Sequence, residues 1–414
     1  MTISNKISPI LRFPKFRKGF DWNMDKFYDL FSILSNNTLS RSELSYGAGS
    51  VYNIHYGDVL IKFNEYLDVA KEDLPYINDK TKADKYKVAH LKDGDVVIAD
   101  TAEDETAGKC TEVTNVGDTI VVSGLHTIPC RPQKEFAQAY LGYYMNSTMF
   151  HDRLLPIMQG AKVTSIPKAS LQNILLVYPQ DLEEQQKIAE CLSSIDEEIS
   201  AIKEKIEQLK VHKKGLMQKL FPIAEKFVPE LRFPEFEKDW EWKEMSIANC
   251  CDVFTGGEAP KNISKEHNNI MKYPIYANGK DVYGYTDSYR IDKDAVCISS
   301  IGANTGAIFY YRAFFTPIIR LKVVIPKDNT VQTPYLYYFL TTRKIKGKKD
   351  AGIPNLNAND IKIVLIMYPS SPVEQQKIAE CLSSIDELIS LYENKMTLLE
   401  QHKKGLMQQL FPKL

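Results

Sequence analysis

The sequence predicts an α+β chain: two mixed α/β domains, each followed by a long helix, with the helices paired as an antiparallel coiled coil in a closed, pseudo-twofold arrangement. Three observations carry this reading. The stretch EQQKIAECLSSIDE stands at Glu184–Glu197 and again at Glu374–Glu387, and HKKGLMQ follows it at His212–Gln218 and at His402–Gln408. Both copies close on Leu-Phe-Pro, at 220–222 and 410–412. A second repeat, LRFP-x-F, begins at Leu11 and Leu231, ahead of Trp22 and Trp242. The ends of each half are duplicated and the middles are not, so the boundaries fall at 1–180 and 223–370 for the domains and at 181–222 and 371–414 for the helices. The marker at Leu11 is expected beside the C-terminus, as its twin follows Pro222.

Length and composition agree with this plan. A chain of 414 residues, 44% hydrophobic, exceeds one ordinary core. No apolar run suits a signal peptide or a bilayer span. Seven cysteines without a CxxC pair or metal spacing read as reduced thiols, and the protein is expected to be cytoplasmic. A net charge of −1 excludes a broadly basic nucleic-acid binder, so any DNA contact must come from local patches or be helped by a partner.

In the first domain, Gly57–Ile61, Gly94–Ile98 and Thr119–Val122 read as buried strands, with a helix around Phe136–Met145. In the second, strands are expected near 295–299, 307–311 and 318–325, and a helix with Thr333 as N-cap and Pro334 at its first position. Each domain closes on an Ile-Pro pair (166–167 and 353–354), an apolar strand, and Tyr-Pro at 178–179 or 368–369. Tyr143, Tyr144, Tyr337 and Tyr338 read as core rather than as base-stacking platforms.

The two long helices rest on heptads. Apolar residues recur at Ile188, Leu192, Ile195, Ile199, Ile202, Ile206, Leu209, Leu216 and Leu220, with Lys213 in the one gap. The second copy runs Ile378, Leu382, Ile385, Ile389, Tyr392, Met396, Leu399, Lys403, Leu406 and Leu410. A single lysine in each seam can fix register at some cost in stability. Asp181 with Glu184, and Ser371 with Glu374, read as capping boxes, and Pro372 suits a first helical position. Residues 182–220 would span about 58 Å, the length of a spacer. A coiled coil constrains only its seam, yet Gln185, Gln186, Lys187 and Glu190 recur as Gln375, Gln376, Lys377 and Glu380. Recent duplication would copy surface and core alike; the other reading is a docking surface for two copies of one partner.

Candidate DNA contacts are local. Arg343, Lys344, Lys346, Lys348 and Lys349 crowd one loop near Asn355 and Asn357, and the matching stretch of the first domain holds Arg153, Gln159, Lys162, Thr164, Ser165 and Lys168. Lys280, Asn304 and Thr305 lie in two further loops. Cationic side chains neutralise phosphates, and Arg, Asn and Gln can grip base edges with two hydrogen bonds, although a charge run is more often a solvated face. No phosphate-binding GxxxxGK[ST], no HExxH and no clustered histidines are present, so no catalytic residue, metal ligand or cofactor is assigned.

The repeated EQQKIAECLSSIDE helices ending in HKKGLMQ-x-LFP, each after a variable domain, resemble the conserved regions of type I restriction-modification specificity subunits. The LRFP-x-F markers, Gly94–Ala99 and Tyr273–Tyr276 resemble that family's target-recognition domains. The resemblance implies a non-catalytic subunit whose two domains each read half of a split, asymmetric double-stranded DNA target. It also implies helices that set the spacing and help bind two modification subunits. Those carry S-adenosylmethionine for DNA methylation, and restriction subunits that use ATP and Mg can join them. From the residues alone two other classes stay open: a DNA-modifying enzyme with an unrecognised centre, and a protein-interaction scaffold.

Overall fold

A computed structural model describes residues 7–160, 162–222, 226–302, 304–343, 345, 348–350 and 353–413. The chain divides into two compact units, one formed by 1–202 with 395–414 and the other by 203–394. Each long helix therefore contributes to both units.

In the first unit a five-stranded sheet runs in the order Phe31–Ile33, Thr127–Pro132, Val96–Ala99, Cys110–Thr114, Tyr66–Asp68, antiparallel except for its last pair. In the second unit the order is Cys251–Thr255, Lys322–Pro326, Ala295–Ile298, Ile308–Tyr311, all antiparallel. The plan is therefore repeated even where the sequence is not. Each unit adds a smaller sheet with one parallel pair, Tyr52–Ile54 with Val121–Ser123 and Tyr273–Tyr276 with Thr316–Pro317. Val96–Ala99 and Ala295–Ile298 are buried throughout, as continuous apolar runs require.

A short helix seals each sheet. Tyr140–Asn146 and Thr333–Thr341 bury Tyr140, Leu141, Tyr143 and Tyr144 and, in the second unit, Tyr335, Leu336, Tyr338 and Phe339. The aromatic clusters close on the Leu-Phe-Pro ends of the long helices. Tyr140 and Tyr144 pack on Phe411 in the first unit, and Tyr335 and Phe339 pack on Phe221 in the second. Three of the four tyrosines expected in the core are buried there, and Tyr337 packs at its edge.

The long helices are Leu182–Leu220 and Pro372–Leu410, each of 39 residues. They run antiparallel within each unit. In the first, Asp196 meets Lys403 at 2.7 Å and Glu198 meets Lys395 at 2.7 Å; in the second, Lys213 meets Asp386 at 2.6 Å and Lys210 meets Glu393 at 3.6 Å. Ile188, Leu192, Ile199, Ile202 and Ile206 are buried along one seam, and Ile378, Leu382, Ile385 and Ile389 along the other. The N-terminal marker does lie beside the C-terminus: Leu11 N–H donates to Gln409 C=O at 2.9 Å. In the second unit Leu231 N–H makes the same bond to Lys219 C=O, also 2.9 Å.

Several local expectations are corrected. Gly57–Ile61 is not a strand but most of a helix, Tyr56–Ile61, capped by the His55 ring, which accepts from Gly57 N–H. An apolar run that short does not distinguish the two periods. The helix expected around Phe136 begins at Tyr140, because Ala139 takes a left-handed conformation (φ 65°) and Ala137 N–H is given to Gln185. Thr333 is inside its helix, with Gln332 as cap. Of the strand expected over 318–325, the part before Lys322 is a turn region. The capping boxes are half formed: Asp181 accepts from Glu183 N–H at 2.9 Å and Ser371 from Glu374 N–H at 3.4 Å. The carboxylates of Glu184 and Glu374 turn instead to Arg12 with Trp22 and to Arg232 with Trp242. The two Ile-Pro pairs are not equivalent either. Ile166 occupies the place of Leu356, in step with the helix repeat (356 − 166 and 374 − 184 are both 190), and both are buried ahead of a short helix.

Candidate nucleic-acid interface

In the second unit four loops converge on Ser300, which follows the central strand Ala295–Ile298 and is buried. Its N–H donates to Asn278 Oδ1 at 3.2 Å, its hydroxyl donates to the Arg320 carbonyl, and its carbonyl accepts from Leu356 N–H at 2.8 Å. Tyr311 adds a bond from its hydroxyl to Gly279 C=O at 2.7 Å. The turn beyond Ser300 is held by Thr305 Oγ1 on Gly302 C=O, 2.7 Å. Gly306 has no freedom to vary, since its φ is +87° and a Cβ would come within 2.6 Å of Ile345 O.

This hub brings together four of the residues expected from the second domain, Lys280, Asn304, Thr305 and Asn355. Lys280 and Asn304 are exposed, Thr305 is half-buried, and Asn355 lies on a backbone bridge to Ile301. Lys280 also stands on the wall of a cleft of about 1020 Å³ that reaches Lys214 and Gln218. Lys348 and Lys349 lie on a strand paired with Ile353–Asn355, their side chains outside the described residues, as are Lys344 and Lys346 altogether. The hub also brings in two cations that sequence reasoning missed. Arg320 is exposed, and Lys322 is half-buried, its ammonium bonded to Thr255 Oγ1 at 2.8 Å. Burial, and then the neighbouring charge of Arg320, push the Lys322 ammonium below its ordinary pKa.

The first unit builds the same hub with other residues. Asp100 follows the strand Val96–Ala99, and its carbonyl accepts from Ile166 N–H at 2.8 Å as that of Ser300 does from Leu356. Its N–H donates to His126 C=O at 3.1 Å, its carboxylate accepts from Thr101 Oγ1 at 2.8 Å, and His126 Nδ1 stands 3.5 Å from that carboxylate. His126 is exposed, has a φ of 53°, and meets the edge of Tyr56 at 5.3 Å. Gln159 and Ser165 exchange backbone bonds of 2.9 and 2.8 Å across a turn in which Gly160 (φ +109°) could not carry a Cβ. Gln159, Lys162 and Lys168 are exposed and Thr164 is half-buried. His126, Thr101 and Tyr56 were missed. Nothing in their local sequence marks them, and only the strand order brings 101 and 126 together.

Three other candidates bond within the fold. Arg153 donates to the Tyr144 hydroxyl at 3.2 Å and to Leu175 C=O at 2.7 Å. Arg343 lies over the Phe339 ring at 4.8 Å and donates to Pro222 C=O at 3.2 Å. Both are held inward, and packing, not local charge, decides it. Asn357 caps the helix Ala358–Lys362, accepting from Asn359 and Asp360 N–H at 2.9 and 3.0 Å.

The expected partner surface is also revised. Gln185 and Gln375 are buried, not exposed. Gln185 accepts from Ala137 N–H and donates to Pro179 C=O. Gln375 accepts from Gln332 N–H and donates to Thr330 and Pro369 C=O. Their recurrence is explained within the chain, because a backbone donor shielded from water ahead of each short helix needs the same acceptor. Gln186, Lys187, Glu190, Gln376 and Glu380 remain exposed, and Lys377 pairs with Glu235. Among the described residues no group of His, Cys, Asp or Glu could hold a metal ion, and no helix is long and apolar enough to cross a membrane. All seven cysteines are free.

Comparison with known proteins agrees with this geometry. The family described as type I restriction modification DNA specificity domain matches residues 21–211 and again 239–401. The chain is 24% identical over 415 residues to a putative type I restriction enzyme MjaX specificity subunit of Methanocaldococcus jannaschii, covering 94% of this chain and 92% of that one. It is 39% identical over 202 residues to the MjaIX specificity subunit of the same organism, covering 42% and 46%. Its fold is similar to the crystal structure of a type I restriction-modification S subunit from M. genitalium, with a TM-score of 0.66 at 18% identity, covering 99% of this chain and 100% of that one. With two matched specificity regions lying over two units of one plan, the chain belongs to the type I restriction-modification DNA specificity family and is a non-catalytic specificity subunit.

Proposed function

We propose that this chain reads a split, asymmetric target in double-stranded DNA, one half with the domain of residues 1–180 and the other with that of 223–370, and that it seats two modification subunits. The observation that carries this is the pair of hubs. Ser300 and Asp100 hold the same place on the same sheet plan, but the loops around them present different chemistry. Lys280, Asn304, Arg320 and Lys322 surround one. Thr101, His126, Gln159, Lys162, Thr164 and Lys168 surround the other. Two readers built alike but lined differently call for two unlike half-sites. The net charge of −1 fits a reader whose phosphate contacts are concentrated in a few loops and shared with partners.

Two modification subunits fit the repeated exposed strip Gln186, Lys187, Glu190 and its copy Gln376, Lys377, Glu380. In each strip the glutamine amide bonds the glutamate four residues on, at 3.3 and 2.7 Å. A partner that recognises the Gln186–Glu190 pair meets the same pair at Gln376–Glu380, while the lysines differ, Lys187 pairing with Glu190 and Lys377 with Glu235.

The test is target selection from random DNA by the chain assembled with its modification and restriction partners, as wild type and as Lys280→Ala with Arg320→Ala. Two half-sites at a fixed gap are expected, with only one half relaxed in the variant. Relaxation of both halves together, or S-adenosylmethionine-dependent methylation by the purified chain alone, would refute the reading. Native mass measurement should find two modification subunits per chain, and one after Gln186→Ala with Glu190→Ala.

A further inference from the structure

We infer that Tyr143, Asp196 and Lys403 in the first unit, and Tyr338, Asp386 and Lys213 in the second, are positioning residues that set the angle of each recognition domain on its helix pair and so the gap between half-sites. The inference rests on the two-half-site reading above.

The geometry occurs twice. Tyr143 donates its hydroxyl to Asp196 Oδ2 at 2.6 Å, Lys403 donates to Asp196 Oδ1 at 2.7 Å, and the Lys403 ammonium stands 5.2 Å from the centre of the Tyr143 ring. Tyr338 donates to Asp386 Oδ2 at 2.8 Å, Lys213 donates to both Asp386 oxygens at 2.6 Å, and its ammonium stands 5.1 Å from the Tyr338 ring. Three chain segments meet at each point. The tyrosine comes from the recognition domain, the aspartate from the start of one long helix, and the lysine from the end of the other. In the first unit Lys403 also holds a carboxylate from the domain itself, Glu65, at 2.6 Å.

One anchor on a rod leaves an angle free, and two fix it. The buried clamp of Arg12, Trp22 and Glu184, with Gln185 beside it, ties the first domain to the opening turn of its helix. Asp196 is twelve residues further along, about 18 Å at about 1.5 Å per residue. Asp386 stands at the same distance from Glu374. The Ile and Leu seam between the two anchors is non-directional and tolerates small rotations, whereas a charged, partly buried hydrogen bond is short and oriented. The seam lysine also makes the domain's tyrosine sense both helices at once, so a slip of the pair would break the domain's second anchor.

The experiment uses the assembled complex and a library of the selected half-sites separated by gaps of different length. Tyr338→Phe keeps the ring and removes only the hydroxyl, and Lys213→Met removes the charge. Discrimination between the preferred gap and its one-base-pair neighbours should fall about tenfold in Tyr338→Phe, the factor expected for one hydrogen bond to a charged group, and at least as far in Lys213→Met, which removes both bonds to Asp386. The half-site sequences should be unchanged, and Lys213→Arg should restore discrimination. Unchanged discrimination in both Tyr338→Phe and Lys213→Met would overturn the inference. So would a loss of half-site reading in parallel with a fall in melting temperature, which would make the contact structural. If the wild-type complex selects no split target, the reading beneath the inference fails and takes it along; a split target with an unrelaxed gap removes the inference alone.

Discussion

Arg12 and Arg232 hold equivalent carboxylates in two places far apart in sequence. Each guanidinium grips a glutamate with two bonds, at 2.6 and 2.7 Å to Glu184 and at 2.7 and 2.8 Å to Glu374, and both glutamates are almost wholly buried. Removing the arginine strands a buried charge, so Arg12→Ala or Arg232→Ala should lower the unfolding free energy by about 3–5 kcal/mol. Denaturant unfolding of the full chain measures this, and a loss no larger than that of a surface ion pair would contradict it. A third buried acid behaves differently. Glu112 caps the helix at Tyr140, accepting from Ala139 and Gly142 N–H at 2.7 and 3.0 Å, yet burial pushes its carboxyl up to about 7. Its folded value lies above the ordinary value of 4.5, so the folded state holds the proton more tightly. The resulting stabilisation is complete below about pH 4.5 and is lost as pH rises through about 7, by on the order of 3 kcal/mol. Glu112→Gln should flatten that part of the stability–pH curve; an unaltered slope would assign it to other groups. The marker arginines were visible in the sequence as a motif without a role. Glu112 was not visible at all, since nothing local to it announces that a helix will end against its carboxylate.

At the scale of the element, the long helices were the most legible part of the chain. A heptad repeat kept over ten positions can bury its stripe only as a helix against another helix, and the ends at Leu220 and Leu410 fall where Pro222 and Pro412 require. If the pair is the ruler between half-sites, its length should be readable in DNA. Inserting seven residues into both helices preserves the seam and adds about 10.5 Å, roughly three base pairs at about 3.4 Å each. Those pairs also turn one half-site by about a third of a turn, so some affinity should be lost to twisting. Target selection with the partner-bound variant should return the same half-sites at a longer gap; a fixed gap in a folded, partner-competent variant would show that the helices are not the ruler. The short elements were less legible. Residues 57–61 form a helix because His55 and Asp58 supply a cap and a first-turn acid, with Arg41 bonded to Asp58 at 2.7 and 2.9 Å. Five apolar-rich residues cannot outweigh such contacts. One signal was present and unread: YLGYYM at Tyr140–Met145 and YLYYFL at Tyr335–Leu340 repeat within the dissimilar domains and carry both anchoring tyrosines.

At the scale of the whole molecule, each recognition domain enters its helix pair through the same few contacts. These are a marker arginine and tryptophan on a glutamate, a backbone N–H on a glutamine, a tyrosine on an aspartate, and an aromatic pair on the Leu-Phe-Pro end. The marker arginine and tryptophan stay with the helices, so a domain that supplies the backbone donor, the tyrosine and the aromatic pair is expected to exchange without rebuilding the rest. Replacing residues 25–178 by the equivalent domain of another specificity subunit should change one half of the target and leave the other intact, as read by methylome sequencing of cells carrying the complete system. A simultaneous change in both halves would mean that the domains do not read independently.

The order of parts, the two long helices with their antiparallel pairing, the buried tyrosines and the closure of Leu11 on the C-terminus follow from the sequence by itself. Periodicity and repetition are local properties, and a seam that long has few ways to be buried. Tertiary structure alone decided that Gln185 and Gln375 turn inward, that Arg153, Arg343 and Asn357 bond within the fold, and that Arg320 stands beside Ser300 and His126 beside Asp100. Each of those outcomes depends on which strand lies beside which. Strand order is set by contacts among residues tens to hundreds of positions apart, about which a local pattern of charge or polarity carries no information.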